Sequence, residues 1–350
     1  MSRRVVRCLV VAAVLAAAAR GAEAEGVPRA PERLSETGLY LDIASGKIDV
    51  WNLPYEPQYP LWTDGAAKAR WIRIPDGTTI DVSDPDAWGF PVGTRFWKEF
   101  AFAGRKVETR FIWRVTETDW IFASYAWNDE QTEAYLAPAE GLPQHAAIAP
   151  GVRHSIPSRT DCLSCHGSSA SPILGFSMLQ LSDDRDPLAP HAQALKPGMV
   201  TLKTLDTFEL VSPRRGDWVD DPPAIKASSP VERAALGYLS ANCGHCHNGR
   251  GPLAGLGMVL AHESAGSRAL ATTMGVPGDF IVPDAGELTR RIAPGRPDLS
   301  AVIYRMSSRR PSSQMPPLGT AVVDRDAVDL FSRWIVDMKE EGTASETHPK

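Results

Sequence analysis

Ser229-Pro230-Val231-Glu232-Arg233-Ala234-Ala235-Leu236-Gly237-Tyr238-Leu239-Ser240-Ala241-Asn242-Cys243-Gly244-His245-Cys246-His247 is the most informative stretch of this 350-residue chain. Serine followed three residues later by glutamate, with proline at the first helical position, predicts a helix start. Val231, Ala234, Ala235, Tyr238, Leu239 and Asn242 then share one side of a helix that runs straight into Cys243. The stretch ends in Cys-x-x-Cys-His, and an earlier one repeats that ending as Cys162-Leu163-Ser164-Cys165-His166. On a helical turn, positions i, i+3 and i+4 share a face. Both thiols can therefore reach one porphyrin edge while the imidazole faces the iron, which is the attachment pattern of c-type haem. Two covalently bound haem c groups are expected, on Cys162 and Cys165 and on Cys243 and Cys246, with His166 and His247 as axial ligands.

Other chemistries of paired cysteines fit less well. The two pairs stand 78 positions apart, from 165 to 243, whereas a shared four-cysteine zinc site wants about 15 to 20. Thioredoxin-like redox pairs do not require the following histidine, and neither pair follows a strand that opens a βαβ unit. The fifth cysteine, Cys8, lies in an apolar run from Cys8 to Ala19 preceded by Arg3, Arg4 and Arg7, with Ala22-Glu23-Ala24 as a small-x-small cleavage site. Residues 1–24 thus read as a signal peptide, too short to span a bilayer, and the expected protein is exported, periplasmic or equivalent, and soluble after cleavage. The whole chain carries a formal charge of −5, and removing four Arg and one Glu with the leader takes it to −8. Nucleic-acid binding is a poor fit to that charge. No nucleophile elbow, phosphate-binding loop or metalloprotease helix occurs.

Composition divides the rest. After a polar entry segment, 25–50, eight of the ten tryptophans fall within residues 51–150. Runs at 70–74, 95–102, 110–115 and 120–127, separated by Pro75-Asp76-Gly77, Ala103-Gly104 and 116–119, predict antiparallel strands, with Phe111, Trp113 and Val115 on one face. The tryptophans suit either a half-buried sheet core or an aromatic wall facing a haem. Residues 151–212 carry the first haem motif on a short helix, and 213–228, with Pro222-Pro223, reads as a linker. Ala327, Leu330, Phe331, Trp334, Ile335 and Met338 predict a last helix behind an Asp324 cap, before a polar tail at 343–350. With 28 Gly and 29 Pro, much of the chain must run in loops held by something other than ladders. The expected class is α+β: an antiparallel β domain, a short haem-binding segment, then an all-α domain at 229–342.

Residues 229–340 resemble the compact monohaem cytochrome c fold, through the leading helix, the motif ending in His247, Met315-Pro316-Pro317 and the terminal helix bearing Trp334. That resemblance implies Met315, 68 residues after His247, as the distal ligand, with Met306 as its rival. The whole chain is similar to a family of exported proteins of undefined function that place a tryptophan-rich β region before two haem motifs, here through Pro60-Leu61-Trp62-Thr63-Asp64-Gly65 and Val107-Glu108-Thr109-Arg110. The order of sheet then motif, with residues 93–99, is also similar to the cytochrome c-prime-beta group, which binds nitric oxide or oxidises hydroxylamine. For the first haem, Met178, Met199, His191, His145 and His154 are the distal candidates. If one binds, the chain is an electron carrier with a redox protein partner. If none does, a dihaem redox enzyme or gas binder with an open first haem becomes the alternative. Arg305, Arg309 and Arg310 are candidate partners of haem propionates, and Lys98 either lines a pocket or points to water.

Overall fold

The computed structural model describes residues 28–338, so the expected leader and polar tail lie outside the described residues. Six strands form an antiparallel meander in chain order: β1 (Leu53–Pro54), β2 (Ala67–Arg73), β3 (Arg95–Phe102), β4 (Arg105–Arg114), β5 (Trp120–Trp127) and β6 (Ala134–Leu136). β4 starts five residues before the expected 110, because Ala103 and Gly104, both at positive φ, close a two-residue hairpin and pairing begins at once with Phe102 opposite Arg105. Val115 falls just beyond the strand.

Alternation assigns the two faces. Trp71, Trp97, Phe111 and Ala123 stand in register on one face. With Tyr125 and Trp127 they pack on Leu34, Leu39 and Tyr40, so the entry segment covers that side of the sheet. On the other face Ile72, Phe96 and Ile112 pack on Ile173, Phe176, Leu181, Leu202 and Leu205. Most of the tryptophans therefore form core. The sheet-side core also takes residues from well beyond 150. Strands β7 (Leu142–Ala149) and β8 (Val152–Ile156) form a hairpin, and Ile80–Asp81 pairs in parallel with Val211–Ser212. Within the Pro-rich stretch a short helix, Asp217–Asp220, buries Trp218 in a stack on Trp88, ring centroids 5.5 Å apart. Prolines there prevent ladders but not packing.

Four helices matter for the site: α1 (Arg159–His166), α2 (Pro230–Asn242), α3 (Ala301–Ser307) and α4 (Arg325–Asp337). Ser229 Oγ accepts from the Glu232 amide as expected, but the Glu232 carboxylate accepts from Ser228 N, one residue further back than a capping box requires. Asp324 caps α4 by accepting from Ala327 N. Ala234, Ala235, Tyr238 and Leu239 of α2 bury against Leu330, Phe331, Trp334 and Ile335 of α4 and Met306 of α3. A small hairpin, His262–Glu263 with Gly266–Ser267, packs beside α2, so the region after 229 is not the all-α unit expected, and the described residues are mixed α+β.

One strap joins the sheet side to the helical side. The Tyr59 ring lies against Gly237 so closely that a Cβ there would stand 2.0 Å from Cε1. Its hydroxyl donates to Asp186 at 3.0 Å. Trp62 N donates to Asn242 Oδ1 at 2.7 Å, and Asp64 Oδ1 accepts from Ala321 N and Val322 N at 2.7 and 2.8 Å. The Pro60–Gly65 motif is thus the buckle of this strap. Gly237→Ala should cost about 1–3 kcal/mol in chemical denaturation, because the ring is buried and hydrogen-bonded and cannot step aside. Loss of stability should largely vanish when Tyr59→Ala is the background, since the clash partner is then gone.

Candidate functional site

α1 is short and well started. Ser158 Oγ accepts from Asp161 N at 3.1 Å while Asp161 Oδ2 accepts from Ser158 N at 3.0 Å, a reciprocal capping box. The helix carries Cys162, Cys165 and His166 into the wall of a cavity of about 630 Å³, within the range of cofactor pockets. His166 Nδ1 lies 2.6 Å from the Pro172 carbonyl oxygen. A carbonyl can only accept, so Nδ1 holds the ring proton and Nε2 keeps a free lone pair for a metal. Burial pushes the His166 pKa down to about 4, which keeps the imidazole neutral at ordinary pH.

At the end of α2 the chain keeps turning, with Cys246 N and His247 N both donating to the Cys243 carbonyl at 3.1 and 2.9 Å. Burial, then the charges of Arg305, His245 and Arg291, push His247 down to about 4 as well. Nδ1 of His245, of His247 and of His262 is in each case buried without a hydrogen-bond partner among the described residues. Met315 is half-buried, and its N–H donates to Arg305 O at 3.0 Å. The Arg309 guanidinium donates to Met306 O at 2.6 Å, Met315 O at 3.3 Å and Thr320 Oγ1 at 2.7 Å. Arg305 Nε donates to Ser313 O at 3.1 Å. Both arginines therefore hold the Met315 loop by its backbone, and Arg305 is the neighbour that the loop shares with His247. Met306, 8% exposed, is part of the apolar core. Arg310 is exposed.

The two motifs, far apart in sequence, meet in space. Ligand atoms of Cys165, His245 and Cys246 lie within 4.8 Å of one another. Asn248 Nδ2 donates to Ser168 O and His245 O, both at 3.0 Å, which ties the loop after one motif to the other. All four thiols are free. Burial raises the Cys162 thiol and pushes Cys243 up to about 12. A hydrogen bond between Cys165 and Cys246, aided by burial, pushes Cys165 up to about 12 and favours the thiolate on Cys246. A redox-active Cys-x-x-Cys pair needs its attacking thiol held low, and three of these four are held high.

The sheet supplies what the sequence did not announce. Arg70, Lys98 and Arg110 stand directly opposite one another on β2, β3 and β4, and all three line the cavity. Arg70 pairs with Glu56 at 2.6 Å, both buried. Arg110 grips Glu108 through Nε at 2.7 Å and Nη2 at 3.1 Å, and His154 Nε2 lies 3.0 Å from the same carboxylate. Burial pushes Glu108 up, but the Arg110 charge and the hydrogen bonds from His154 and Arg110 outweigh it and hold the group at about 2. A charged residue at alternate positions of otherwise aromatic strands was the available signal, but strand register was needed to bring the three cations together.

Most distal candidates for the first motif are engaged elsewhere. His191 Nε2 lies 2.9 Å from Asp324 Oδ1 and its ring packs on Trp62, while His154 serves Glu108. Met199 Sδ accepts from Lys196 N at 3.3 Å. His145 does not line the cavity, whereas Met178 does. Comparison with protein-family models, curated proteins and solved structures returned no match.

Glu108 makes the site acid-sensitive. Its folded pKa lies below the ordinary 4.5, so its contribution is complete above pH 4.5 and is lost as pH falls through about 2. Acid titration of stability should show a loss of roughly 3 kcal/mol over that window, absent in Glu108→Gln. At pH 7 the same variant, which leaves Arg110 without its carboxylate, should be less stable by about 3 kcal/mol or more.

Proposed function

We propose that the chain is an exported dihaem c-type cytochrome that carries electrons between redox protein partners. The meeting of the two Cys-x-x-Cys-His stretches carries this reading: ligand atoms of Cys165, His245 and Cys246 lie within 4.8 Å of one another, and the cavity lined by Cys162, Cys165 and His166 is bordered by Gly244 and His245 of the second motif. The donor set fits: four free thiols in two pairs and two neutral imidazoles, the half-buried His166, oriented by a carbonyl, and the buried His247. Cys162 and Cys165 would hold one haem and Cys243 and Cys246 the other, with His166, His247 and Met315 as iron ligands. Bound haem supplies a one-electron iron couple, and a thioether ligand raises its potential relative to a second histidine. The chain's own part is to fix those ligands. Pro172 O orients His166, and Arg305 with Arg309 stiffens the Met315 loop. The helices α2, α3 and α4, which share one core, would act as the cytochrome c-like unit, and the sheet region walls the first motif. No helix among the described residues is long and apolar enough to cross a membrane.

Two observations favour further readings. Met178 is the one distal candidate that lines the cavity, so an open first haem, serving a small substrate or gas, is the alternative if Met178 does not ligate. Cys165, His245 and Cys246 also form a borderline-soft donor set suited to zinc.

Intact mass of the exported protein should exceed the processed chain by two haems, with Cys162→Ala/Cys165→Ala and Cys243→Ala/Cys246→Ala each losing one. Metal analysis should give two iron atoms per chain. One zinc per chain with no covalent addition would replace the haem reading by the Cys165–His245–Cys246 site. Carbon monoxide added to the reduced protein should leave the spectrum unchanged if both irons are capped. A shift in about half of the haem absorbance, abolished in His166→Ala, would favour the open-haem alternative.

A further inference from the structure

Lys98 is the odd member of the cationic row. Its two neighbours each face a carboxylate, Glu56 for Arg70 and Glu108 for Arg110, whereas no carboxylate of the described residues pairs with Lys98. Its ammonium stands over the Phe100 ring, 5.0 Å from Nζ to the centroid, and Arg110 stacks on the same ring at 4.5 Å. Lys98 is half-buried and lines the cavity beside His166. Burial, reinforced by the charges of Arg70, Lys68 and Arg110, holds its pKa well below the ordinary lysine value, against the opposing charges of Glu108 and Glu56. A half-buried cation with no carboxylate at ion-pair distance is costly, and two flanking guanidinium groups raise that cost. With Arg70 and Arg110 each paired to a carboxylate, Lys98 is the cation of the row left free to offer a charge-assisted hydrogen bond on this patch of the cavity wall.

We infer that Lys98, between Arg70 and Arg110, is the contact residue of an anion site in the cavity wall, for a carboxylate or a small oxyanion. One such anion would pair with Lys98 and lie in the field of both arginines without breaking the Glu56 or Glu108 pairs. Two sources offer this chemistry: a small anion from solution and a propionate of the first haem. The site itself stands on the cavity geometry, and only the propionate source rests on the dihaem reading.

Full-length purified protein, with haem content scored by intact mass, is titrated with nitrite and with acetate while its thermal midpoint is followed. Wild type should gain stability with either anion, Lys98→Met should bind about tenfold more weakly or worse, and Lys98→Arg should retain binding. That result assigns the site to a diffusible anion and holds whether or not haem is present. If neither anion binds wild type, the propionate source requires that Lys98→Met lower the midpoint potential of one haem, while Lys47→Met, at an exposed position, leaves both unchanged. Without added anion, Lys98→Met should be at least as heat-stable as a wild type whose site is empty, because it removes an uncompensated charge. No anion response together with unchanged potentials overturns the proposal. So does a Lys98→Met protein that loses stability without anion and binds anions as wild type does, since that is a packing lysine.

Discussion

The Tyr59 ring against the bare backbone of Gly237 is the contact on which the arrangement of both motifs depends. Glycine is required there because any side chain would enter the ring, and the ring is pinned at its far end by Asp186. From that point the strap continues through Asn242, the residue before Cys243, and on to the backbone at Ala321 and Val322. The end of α2 is thereby located relative to the sheet, and the sheet core in turn locates the segment after α1 through Ile173 and Phe176. The cavity is the space these two constraints leave between them.

Charge in that cavity has two consequences with one cause. Arg110 and Lys98 add to burial in disfavouring the protonated form of His166, which keeps Nε2 available as a metal ligand. The same cations make the wall attractive to anions. Glu56 and Glu108 prevent the row from being prohibitively expensive: each neutralises one guanidinium at short range, and Glu108 also accepts from His154. The strands tolerate these groups because each charged side chain faces the cavity or a partner, while Trp71, Trp97 and Phe111 of the same strands face the apolar side.

Local signals in the sequence were legible where a few neighbouring residues decide the outcome. Ser229 and Asp324 cap the helices they were expected to cap, and Ala103-Gly104 turns the hairpin it was expected to turn. The start of β4 was missed because Arg105, Lys106 and Glu108 look like loop until their partners across the hairpin are known. Trp218 was missed for a related reason, since its burial is set by Trp88 and not by the prolines around it. The meeting of Cys165 with Cys246 could not be read from the sequence, where the 78 positions between Cys165 and Cys243 by themselves argued against a shared cluster. Nor could the row of Arg70, Lys98 and Arg110, which exists only once register is known.

Arginine explains how a chain so rich in glycine and proline keeps its loops. Loop carbonyls that lack ladder partners must be satisfied by other donors, and a guanidinium offers five in a fixed fork. Arg291 donates to Thr272 O at 2.8 Å and Leu256 O at 2.6 Å, and Arg309 does the same for Met306 and Met315. Arg305 and Arg309, which the sequence offered as partners for propionates, are thus committed to the backbone around Met315. The positive charge that lines the cavity beside the first motif comes instead from strands, where register places the three side chains and carboxylate partners fix Arg70 and Arg110.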